Sequence, residues 1–516
     1  MSDNPKSSSK VRIQLMPIGA VMEVERGSLL QSLLSTHGME FPCGGLGTCG
    51  GCRVQILEGH VEPTPEEQAF FSREELLDGW RMACYLRADM PLKLKIEQWT
   101  MPVLVDDTHL AITRRQGLAV AIDLGTTTIV AQLLDLASGK LIGFRTALNP
   151  QAIHGADVMS RVRFAFDSGE LTKTIRDFLG AMVLEVAAER CDEIVEIVLV
   201  GNTVMHHLFC GLDTEPLSHV PFASPNLGEQ RFSAKDIGWQ LSDRAVIRFL
   251  PCIGGFVGSD ILAGILAVGL HTGNRLRALI DLGTNGEISL GNQEKILCAS
   301  TAAGTAFEAG SIKMGMRAAT GAISRVFWQG DGMQCDIIGD VEARGICGSG
   351  LVDAVAAGLN AGIIAPRGRF NNGTKDFDLS GSVKLWQGDV RELQLAKAAI
   401  ASGMRILLDH WGADINDVEE VYLAGAFGNY VRAESAVRIG LLETPVERLV
   451  PAGNTALRGA KLLIGDEDFA VLNRIEHFNL AADPLFQERF VDCMGFPDVE
   501  APQSRAPEEE VAAAMV

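Results

Sequence analysis

Apolar and polar residues alternate near the start of the chain, where they predict a small unit rich in strands. Val11–Leu15 and Val21–Val24 both alternate with period two, which is typical of half-buried strands. Leucines recur on one helical face between Ser28 and Ser35, and Ser28 is a suitable N-cap for that helix. The pattern therefore predicts two strands followed by a short helix.

The pattern changes after Gly117, where apolar strands begin to alternate with longer helices. Leu118–Ile122 and Ile129–Leu136 are apolar runs with a turn between them, which predicts the first two strands of a sheet. Strands that alternate with helices in this way are typical of α/β domains. The other predicted elements are helices over 171–190, 351–361 and 391–411, and strands over 141–143, 196–200, 278–280 and 420–423.

One short motif occurs twice in this part, each time after a predicted strand. Asp123-Leu-Gly-Thr-Thr-Thr128 is followed 158 residues later by Asp281-Leu-Gly-Thr-Asn-Gly-Glu287. A carboxylate, a glycine and hydroxyl or amide groups at a sharp turn suit a polyphosphate with its cation, because glycine lets backbone N–H groups approach the phosphates. A single copy would be weak evidence, because a buried turn at a strand end is its more usual explanation. Two copies favour two half-sites that face one ligand.

Four cysteines near the N-terminus give the second chemical signal. Cys43, Cys49 and Cys52 lie in a glycine-rich loop with the spacing C-x5-C-x2-C, and Cys84 follows 32 positions after Cys52. Four thiolates are the ligand set of a 2Fe-2S cluster, and a loop that carries three of them must wrap tightly around the sulfides. A zinc site or a loop of buried thiols is the alternative, although zinc sites usually pair two C-x2-C knuckles. The segment resembles 2Fe-2S ferredoxins of the β-grasp fold.

Composition narrows the class of protein further. The chain has 516 residues, a hydrophobic content of 47% and a formal charge of -20, which argues against a nucleic-acid partner. The longest apolar run, Ile261–Leu270, is about half of a membrane span, so no membrane association is expected. We expect a cytoplasmic protein, in which most of the other seven cysteines are small buried residues and no second cluster forms. The adjacent His206 and His207 converge poorly on a metal, so structural roles are favoured.

These patterns together divide the chain into six segments. A flexible linker joins a cluster domain to a larger part in two halves, and eighteen extended residues span at most about 60 Å. The predicted boundaries are 1–9 for a disordered tail, 10–99 for the ferredoxin-like domain, 100–117 for the linker, 118–275 and 276–496 for the two halves, and 497–516 for a second disordered tail.

Small-residue stretches occur at fixed places between and after the two Asp-Gly loops. Residues 254–264 precede the second loop, and Ala424-Gly-Ala-Phe-Gly428 and 453–461 come after it. This order resembles the superfamily of acetate and sugar kinases, heat-shock chaperones and actin. The resemblance implies two RNase H-like halves that enclose ATP and a divalent cation. It makes 123–128 and 281–287 the phosphate loops, 424–428 the adenosine loop, and 254–264 and 453–461 the crossing helices.

The whole chain, with its cluster domain, resembles the reductive activators of corrinoid proteins. Gly201–His207, Ala303–Glu308 and Leu423–Gly428 are similar to stretches of that family. The resemblance implies an ATP-hydrolysing iron–sulfur enzyme that reduces cobalt(II) to cobalt(I) on a corrinoid protein of a methyltransferase system, with an external low-potential electron donor. A homodimer is one assembly that it allows. Some members carry a middle domain, which the short linker here predicts to be absent.

The resemblance also implies roles for individual residues. Asp123 and Asp281 are predicted to be catalytic and to hold Mg²⁺, and Asp281 to orient the attacking water. The predicted ATP-binding residues are Asp123, Gly125, Thr126, Thr127, Thr128, Asp281, Gly283, Thr284, Asn285, Gly286, Gly425, Ala426 and Gly428, and the predicted cluster ligands are Cys43, Cys49, Cys52 and Cys84. The alternatives are an ATP-coupled electron donor to another low-potential enzyme, and a chaperone-like ATP switch whose cluster senses redox state.

Overall fold

A computed structural model describes most of the chain. The described residues are 10–16, 20–36, 39, 47, 52–96, 114–155, 158–166, 168–283, 285–329, 332–339, 341–371, 373–466 and 468–498. Cys43, Cys49 and Thr284 lie outside these residues, as do most of the predicted linker and tails. Pro497 falls in the predicted second tail, yet its carbonyl accepts a hydrogen bond of 2.9 Å from Arg438, so the described structure extends into that segment.

The strands and helices alternate along the chain as follows. The strands are β1 (Lys10–Met16), β2 (Ala20–Glu25), β3 (Arg53–Glu58), β4 (Trp80–Met82), β5 (Leu92–Ile96), β6 (Leu118–Leu124), β7 (Thr128–Asp135), β8 (Lys140–Leu148), β9 (Ile194–Val200), β10 (Gln230–Ser233), β11 (Val246–Phe249), β12 (Arg277–Leu282), β13 (Gly286–Gly291), β14 (Ile296–Thr301), β15 (Ala322–Gln329), β16 (Gly332–Ile337), β17 (Gly345–Ile346), β18 (Asp376–Ser380), β19 (Val383–Trp386), β20 (Glu420–Ala424), β21 (Leu449–Gly453) and β22 (Ile475–Phe478). The helices are α1 (Gln31–Thr36), α2 (Glu67–Phe70), α3 (Arg73–Leu77), α4 (Val158–Ala165), α5 (Glu170–Ala187), α6 (Thr203–Cys210), α7 (Ser259–Ala267), α8 (Gly348–Asn360), α9 (Gln387–Trp411), α10 (Gly425–Tyr430), α11 (Ala433–Arg438), α12 (Thr455–Leu462) and α13 (Phe486–Asp492).

The N-terminal part is a five-stranded sheet with a short helix, as the alternating pattern predicts. The strand order is β2-β1-β5-β3-β4, with β1 and β5 parallel. Ile13, Leu15 and Leu94 are fully buried in its core with Leu34 of α1. The predicted N-cap is wrong: α1 begins at Gln31, and the Ser28 hydroxyl donates instead to the carbonyl of Glu25 at 2.6 Å, which closes the turn after β2.

The two larger sheets repeat one topology, which confirms the predicted duplication. In the first sheet the antiparallel strands β8, β7 and β6 are followed by β9 and β11, which run parallel to β6. In the second sheet β14, β13 and β12 are antiparallel, and β20 and β21 follow in parallel. Each sheet also carries one extra edge strand, β10 or β22. Asp123 and Asp281 therefore occupy equivalent positions near the ends of β6 and β12.

Two helices, α7 and α12, cross between the halves at very short distance. A Cβ atom on Gly459 of α12 would lie only 2.0 Å from the carbonyl oxygen of Ala263 in α7. Only glycine allows the two backbones to approach this closely. The small-residue stretches that the sequence marks at 254–264 and 453–461 are thus explained by helix packing.

We expect Gly459→Ala to destabilise the protein by about 1–3 kcal/mol, because the added methyl group meets a backbone atom that cannot rotate away. Gly388→Ala in α9 is the matched control, since a Cβ there has no neighbour within 4 Å. Chemical denaturation should show the control to be neutral or slightly stabilised. Equal stabilities of the two variants would contradict the close approach of α7 and α12.

Candidate functional site

A cavity of about 300 Å³ lies between the two larger sheets and the crossing helices. Both Asp-Gly loops reach it, together with the first residues of α8, α10 and α12. The described residues that line it are Asp123, Gly125, Thr126, Thr127, Thr128, Val130, Asn202, Asp260, Asp281, Gly283, Asn285, Glu287, Phe307, Glu308, Arg317, Ala318, Cys347, Gly348, Ser349, Gly425, Phe427, Tyr430, Asn454 and Ala456.

The first loop brings all of its predicted residues to the cavity. The amide of Gly125 donates to the carbonyl of Thr128 at 3.1 Å, which closes a tight turn at the end of β6. Two asparagines hold this turn from neighbouring helices. Asn202, the N-cap of α6, donates to the Thr126 hydroxyl at 2.8 Å, and Asn454, the N-cap of α12, donates to the Asp123 carboxylate at 2.9 Å.

The second loop brings Asp281, Gly283 and Asn285 to the same cavity. The amide of Gly283 donates to the carbonyl of Asn285 at 3.0 Å, so this loop is also a tight turn. Gly286 is absent from the described lining: it begins β13, and a Cβ there would lie 1.8 Å from the Ile400 side chain. The lack of a side chain at Gly286 therefore lets β13 pack closely against Ile400 of α9.

Four carboxyl groups at the cavity have raised pKa values, because all four are desolvated and because, for three of them, neighbouring carboxylates add their charge. Burial raises the pKa of Asp123 to about 6, partly offset by the hydrogen bond from Asn454. Burial, and then the charge of Asp123, raise the pKa of Asp281 to about 7. For Asp260 burial and the charges of Asp281 and Asp123 raise the pKa to about 8, and burial with Asp260 and Asp281 raises that of Glu287 well above its ordinary value.

This electrostatic setting suits a cation that arrives with its own ligands. Acidic groups held in a desolvated cavity stay ionised most easily when a positive charge is bound between them. Within the described residues, no group of three or more His, Cys, Asp or Glu side chains is arranged to hold a metal ion by itself. Mg²⁺ commonly binds through one or two carboxylates, waters and substrate phosphates. The residues therefore fit magnesium bound as a nucleotide complex.

The predicted adenosine loop also reaches the cavity, through Gly425. Gly425 has φ +81°, and a Cβ there would lie 2.4 Å from the Asp281 carboxylate, so the loop packs directly on the second Asp-Gly loop. Phe427 stacks on Phe307 with ring centroids 4.6 Å apart. Ala426 lies in α10 between Gly425 and Phe427, whereas Gly428 is absent from the described lining. The Phe307–Phe427 pair therefore forms an apolar part of the cavity wall.

The described cluster cysteines come together at one end of the N-terminal sheet. Cys52 directly precedes β3 and Cys84 follows β4, and these strands pair antiparallel with Arg53 opposite Met82. The amide of Ala83 donates to the carbonyl of Cys52 at 2.7 Å, which keeps the two cysteine segments adjacent. Both side chains are buried, with 1% and 5% exposure, and neither forms a disulfide. Cys52 and Cys84, two of the four predicted ligands, are therefore placed so that both could bind one cluster beside β3 and β4.

The two adjacent histidines have structural partners within the described residues. His207 bonds the carbonyl of Thr203 at 2.8 Å and the hydroxyl of Ser224 at 2.6 Å. His206 packs edge-on against Phe249 with ring centroids 5.0 Å apart. Burial lowers the pKa of both side chains, to about 4 for His206. The hydrogen bonds of His207 and the packing of His206 agree with the structural roles that the sequence favours for this pair.

Several cavity residues were not predicted from the sequence. Asp260 lies in the first turn of α7, and Glu287 is the last residue of the second repeated motif. Asn202 is the N-cap of α6 and follows the apolar strand β9. Asn454 is the N-cap of α12 and lies within the small-residue stretch 453–461. A carboxylate or amide at the start of an apolar helix is the signal that could have found Asp260, Asn202 and Asn454.

Fold and site together define the class: an iron–sulfur domain joined to a duplicated domain of the kind found in acetate and sugar kinases, heat-shock chaperones and actin. Family models match all three parts of the chain. The model for the 2Fe-2S iron-sulfur cluster binding domain matches residues 14–89, that for the RACo middle region 118–273, and that for the C-terminal ASKHA domain of RACo 275–506.

Individual relatives agree with these matches. The corrinoid activation enzyme RamQ of Eubacterium limosum is 35% identical over 421 residues, which cover 73% of this chain and 70% of that protein. The Co(II) methylated amine-specific corrinoid protein reductase of Methanosarcina barkeri is 28% identical over 379 residues, or 67% and 69% of the two chains. A solved structure, the reductive activator for corrinoid, iron-sulfur protein, covers 94% of this chain and 98% of its own at 25% identity and a TM-score of 0.64. The chain belongs to the family of reductive activators of corrinoid proteins.

These matches correct one expectation about the middle domain. The sequence predicts that it is absent, but the model for the RACo middle region matches 118–273, the residues assigned above to the first half of the ATPase. The reason is that the first six-stranded sheet is itself this region, so a short linker does not imply a missing domain. No helix of the described residues has the length and apolarity that a membrane crossing requires.

Proposed function

We propose that the protein couples ATP hydrolysis to the one-electron reduction of a corrinoid protein, from cobalt(II) to cobalt(I), in a methyltransferase system. The observation that carries the proposal is the match to RamQ, a corrinoid activation enzyme, over 73% of the chain. The 2Fe-2S domain and the ASKHA domain in one polypeptide support the same coupling, because each reaction has its own site.

In the N-terminal part, we assign Cys43, Cys49, Cys52 and Cys84 as the cluster ligands. A bound cluster supplies one-electron transfer, and plant-type clusters have potentials near about -400 mV. The chain's own contribution is to hold Cys52 and Cys84 side by side through the β3–β4 pair and to bury both sulfurs. An external low-potential donor is required to reduce this site again.

In the larger part, we assign Asp123 and Asp281 to the Mg²⁺ of Mg-ATP, with Asp281 also orienting the attacking water. The loops of Thr126, Thr127 and Thr128, and of Thr284 and Asn285, would face the phosphates. The adenine side would approach Gly425 and the Phe307–Phe427 pair, which is apolar and flat. Mg-ATP supplies the hydrolysable bond, and the carboxylates hold its cation.

The energetics limit what domain closure alone can do. Coupling free energies between two sites are typically about 1–3 kcal/mol, which for one electron corresponds to at most about 130 mV. A larger uphill step requires ATP to change the coordination of the substrate cobalt or to trap the reduced product. We therefore propose that ATP acts mainly on the complex between this protein and the corrinoid protein.

Domain boundaries, assembly and location belong to the same proposal. We keep 10–99 as the cluster domain, 100–117 as the linker and 118–496 as the ATPase, with a homodimer as one assembly of the family type. Nine described cysteines form no disulfide, which supports a reducing compartment such as the cytoplasm.

ATP hydrolysis with and without corrinoid protein tests the proposal. Under anaerobic conditions, a panel of corrinoid proteins from methyltransferase systems in the cobalt(II) state should raise the hydrolysis rate severalfold. Stimulation by a different low-potential enzyme, with none by any corrinoid protein, would favour the alternative of another electron acceptor. Hydrolysis that responds only to unfolded protein would favour a chaperone-like switch.

A variant of the adenosine loop gives a further prediction. Gly425→Ala should weaken ATP binding at least about tenfold, because its Cβ would displace the Asp281 carboxylate that lies 2.4 Å away. Gly381→Ala is the matched control: Gly381 also has positive φ, of +59°, but a Cβ there has no neighbour within 4 Å. Calorimetric titration measures both, and equal affinities would contradict the assignment of this loop.

A further inference from the structure

The first phosphate loop is bonded at two points to one buried residue, Asn149. The Asn149 side chain donates to the carbonyl of Gly125 at 2.9 Å, and its backbone amide donates to the carbonyl of Thr127 at 2.8 Å. Asn149 has no exposed surface, so these bonds are shielded from water. A movement of the loop on nucleotide binding must therefore move Asn149 or break both bonds.

Asn149 is also the N-cap of the short 3₁₀ helix Pro150–His154. Its side-chain oxygen accepts from the amide of Gln151 at 3.0 Å. The Gln151 side chain, likewise fully buried, donates to the carbonyl of Leu171 in α5 at 3.0 Å. The phosphate loop and this 3₁₀ helix thus form one hydrogen-bonded unit that rests on α5.

Within the described residues, the same 3₁₀ helix lies against α1 of the cluster domain. In α1 the carbonyl of Leu34 accepts a hydrogen bond of 2.9 Å from the amide of Met39. Met39 stands four residues before Cys43. A continuous set of contacts therefore runs from the phosphate loop through Pro150–His154 and α1 to the segment that enters the cysteine loop.

We infer that the Asn149-capped 3₁₀ helix is a relay that transmits nucleotide binding to the cluster domain. The inference rests on the proposed function, because it requires a nucleotide in the cavity and a cluster on the cysteines. It extends that function by assigning Asn149 as a positioning residue: it touches neither nucleotide nor cluster, yet it sets the position of α1 according to the state of the phosphate loop. The relay gives ATP a route to the electron-donating domain that does not pass through the linker.

Hydrogen–deuterium exchange of the full-length, cluster-loaded protein tests the relay. The non-hydrolysable analogue AMP-PNP with Mg²⁺ should change exchange at least twofold in three segments: 425–430 at the cavity, 151–155 in the relay, and 31–36 in α1. In Asn149→Ala the change at 425–430 should remain, while that at 31–36 should disappear. The paramagnetic spectrum of the reduced cluster should respond to the analogue in the parent protein but not in the variant.

Asn479→Ala is the matched control for this experiment. Asn479 also caps a 3₁₀ helix, Leu480–Ala482, and its side chain donates to a backbone carbonyl, that of Pro221, at 3.0 Å. Among the described residues, Asn479 has no hydrogen bond to the first phosphate loop, so the control should keep the response of α1.

Three results would overturn the relay. A change at 425–430 in the parent protein without any change at 31–36 would overturn it and leave the proposed function standing, and so would a response of α1 that persists in Asn149→Ala. No change at 425–430 in the parent protein would overturn the nucleotide site and the relay together. If Asn149→Ala does not fold, the parent protein still tests the relay: changes in all three segments support it, and a change at 425–430 without one at 151–155 or at 31–36 rejects it.

Discussion

Asp281→Asn is expected to lower the rate of ATP hydrolysis at least about 100-fold, while the absorbance of the cluster stays unchanged. The substitution keeps the size of the side chain but removes the negative charge that we assign to the cation of Mg-ATP, and loss of one preorganised electrostatic group typically has an effect of this size. Asp281 is already desolvated, with a pKa raised to about 7, so a neutral amide is compatible with the fold. A coupled-enzyme assay under saturating ATP measures the effect.

Asp243→Asn is the control for this prediction, because Asp243 is an exposed aspartate that does not line the described cavity. It should hydrolyse ATP at the parent rate. If Asp281→Asn also lost the cluster absorbance or its thermal unfolding transition, Asp281 would be a folding residue instead. Unchanged hydrolysis in Asp281→Asn would remove it from the catalytic site.

Cys52→Ala is expected to abolish the cluster spectrum and electron transfer to the corrinoid protein, while ATP affinity stays within about twofold of the parent value. One missing thiolate leaves an iron without its ligand, since such a cluster requires four. The ATPase cavity includes no described residue of the N-terminal sheet, so nucleotide binding should not depend on this cysteine. Optical and paramagnetic spectra report the cluster, and calorimetry reports the nucleotide.

Cys298→Ala is the matched control for the loss of a buried thiol. Cys298 is fully buried in β14, and burial raises the pKa of its thiol to about 12, so it is protonated at neutral pH. This variant should keep the full cluster spectrum. A cluster that survives in Cys52→Ala, or is lost equally in Cys298→Ala, would contradict the ligand assignment.

The sequence predicted the duplicated architecture because its signals are local. A strand followed by Asp-x-Gly is visible in six or seven residues, and the structure places both copies at equivalent strand ends in two sheets of the same topology. The small residues of α7 and α12 are visible for the same reason, since close helix packing demands glycine at the contact. The prediction of Ser28 as a helix N-cap was wrong because a serine hydroxyl can close a turn as well as cap a helix.

The remaining cavity residues could not be identified from the sequence, because most of their contacts form only in the tertiary fold. Asp260 becomes a neighbour of Asp281 only when α7 packs at the cavity, whereas Glu287 lies opposite Asp281 in the β12–β13 hairpin. The raised pKa values of Asp260 and Glu287 follow from their burial in the folded chain. Asn202, Asn454 and Asn149 look like ordinary helix caps in the sequence. Their second hydrogen bonds, to the first phosphate loop, exist only in the folded chain.

The central claim is that ATP hydrolysis drives electrons from the cluster to the cobalt of a corrinoid protein, and formation of cobalt(I) measures it most directly. The cluster-loaded protein, a chemical low-potential reductant and a corrinoid protein in the cobalt(II) state are mixed anaerobically, and the cobalt(I) absorbance is followed. Cobalt(I) should accumulate with Mg-ATP but not with Mg-AMP-PNP, and not with Cys52→Ala or Asp281→Asn. Equal accumulation of cobalt(I) without ATP, or in the Cys52→Ala variant, would contradict this claim.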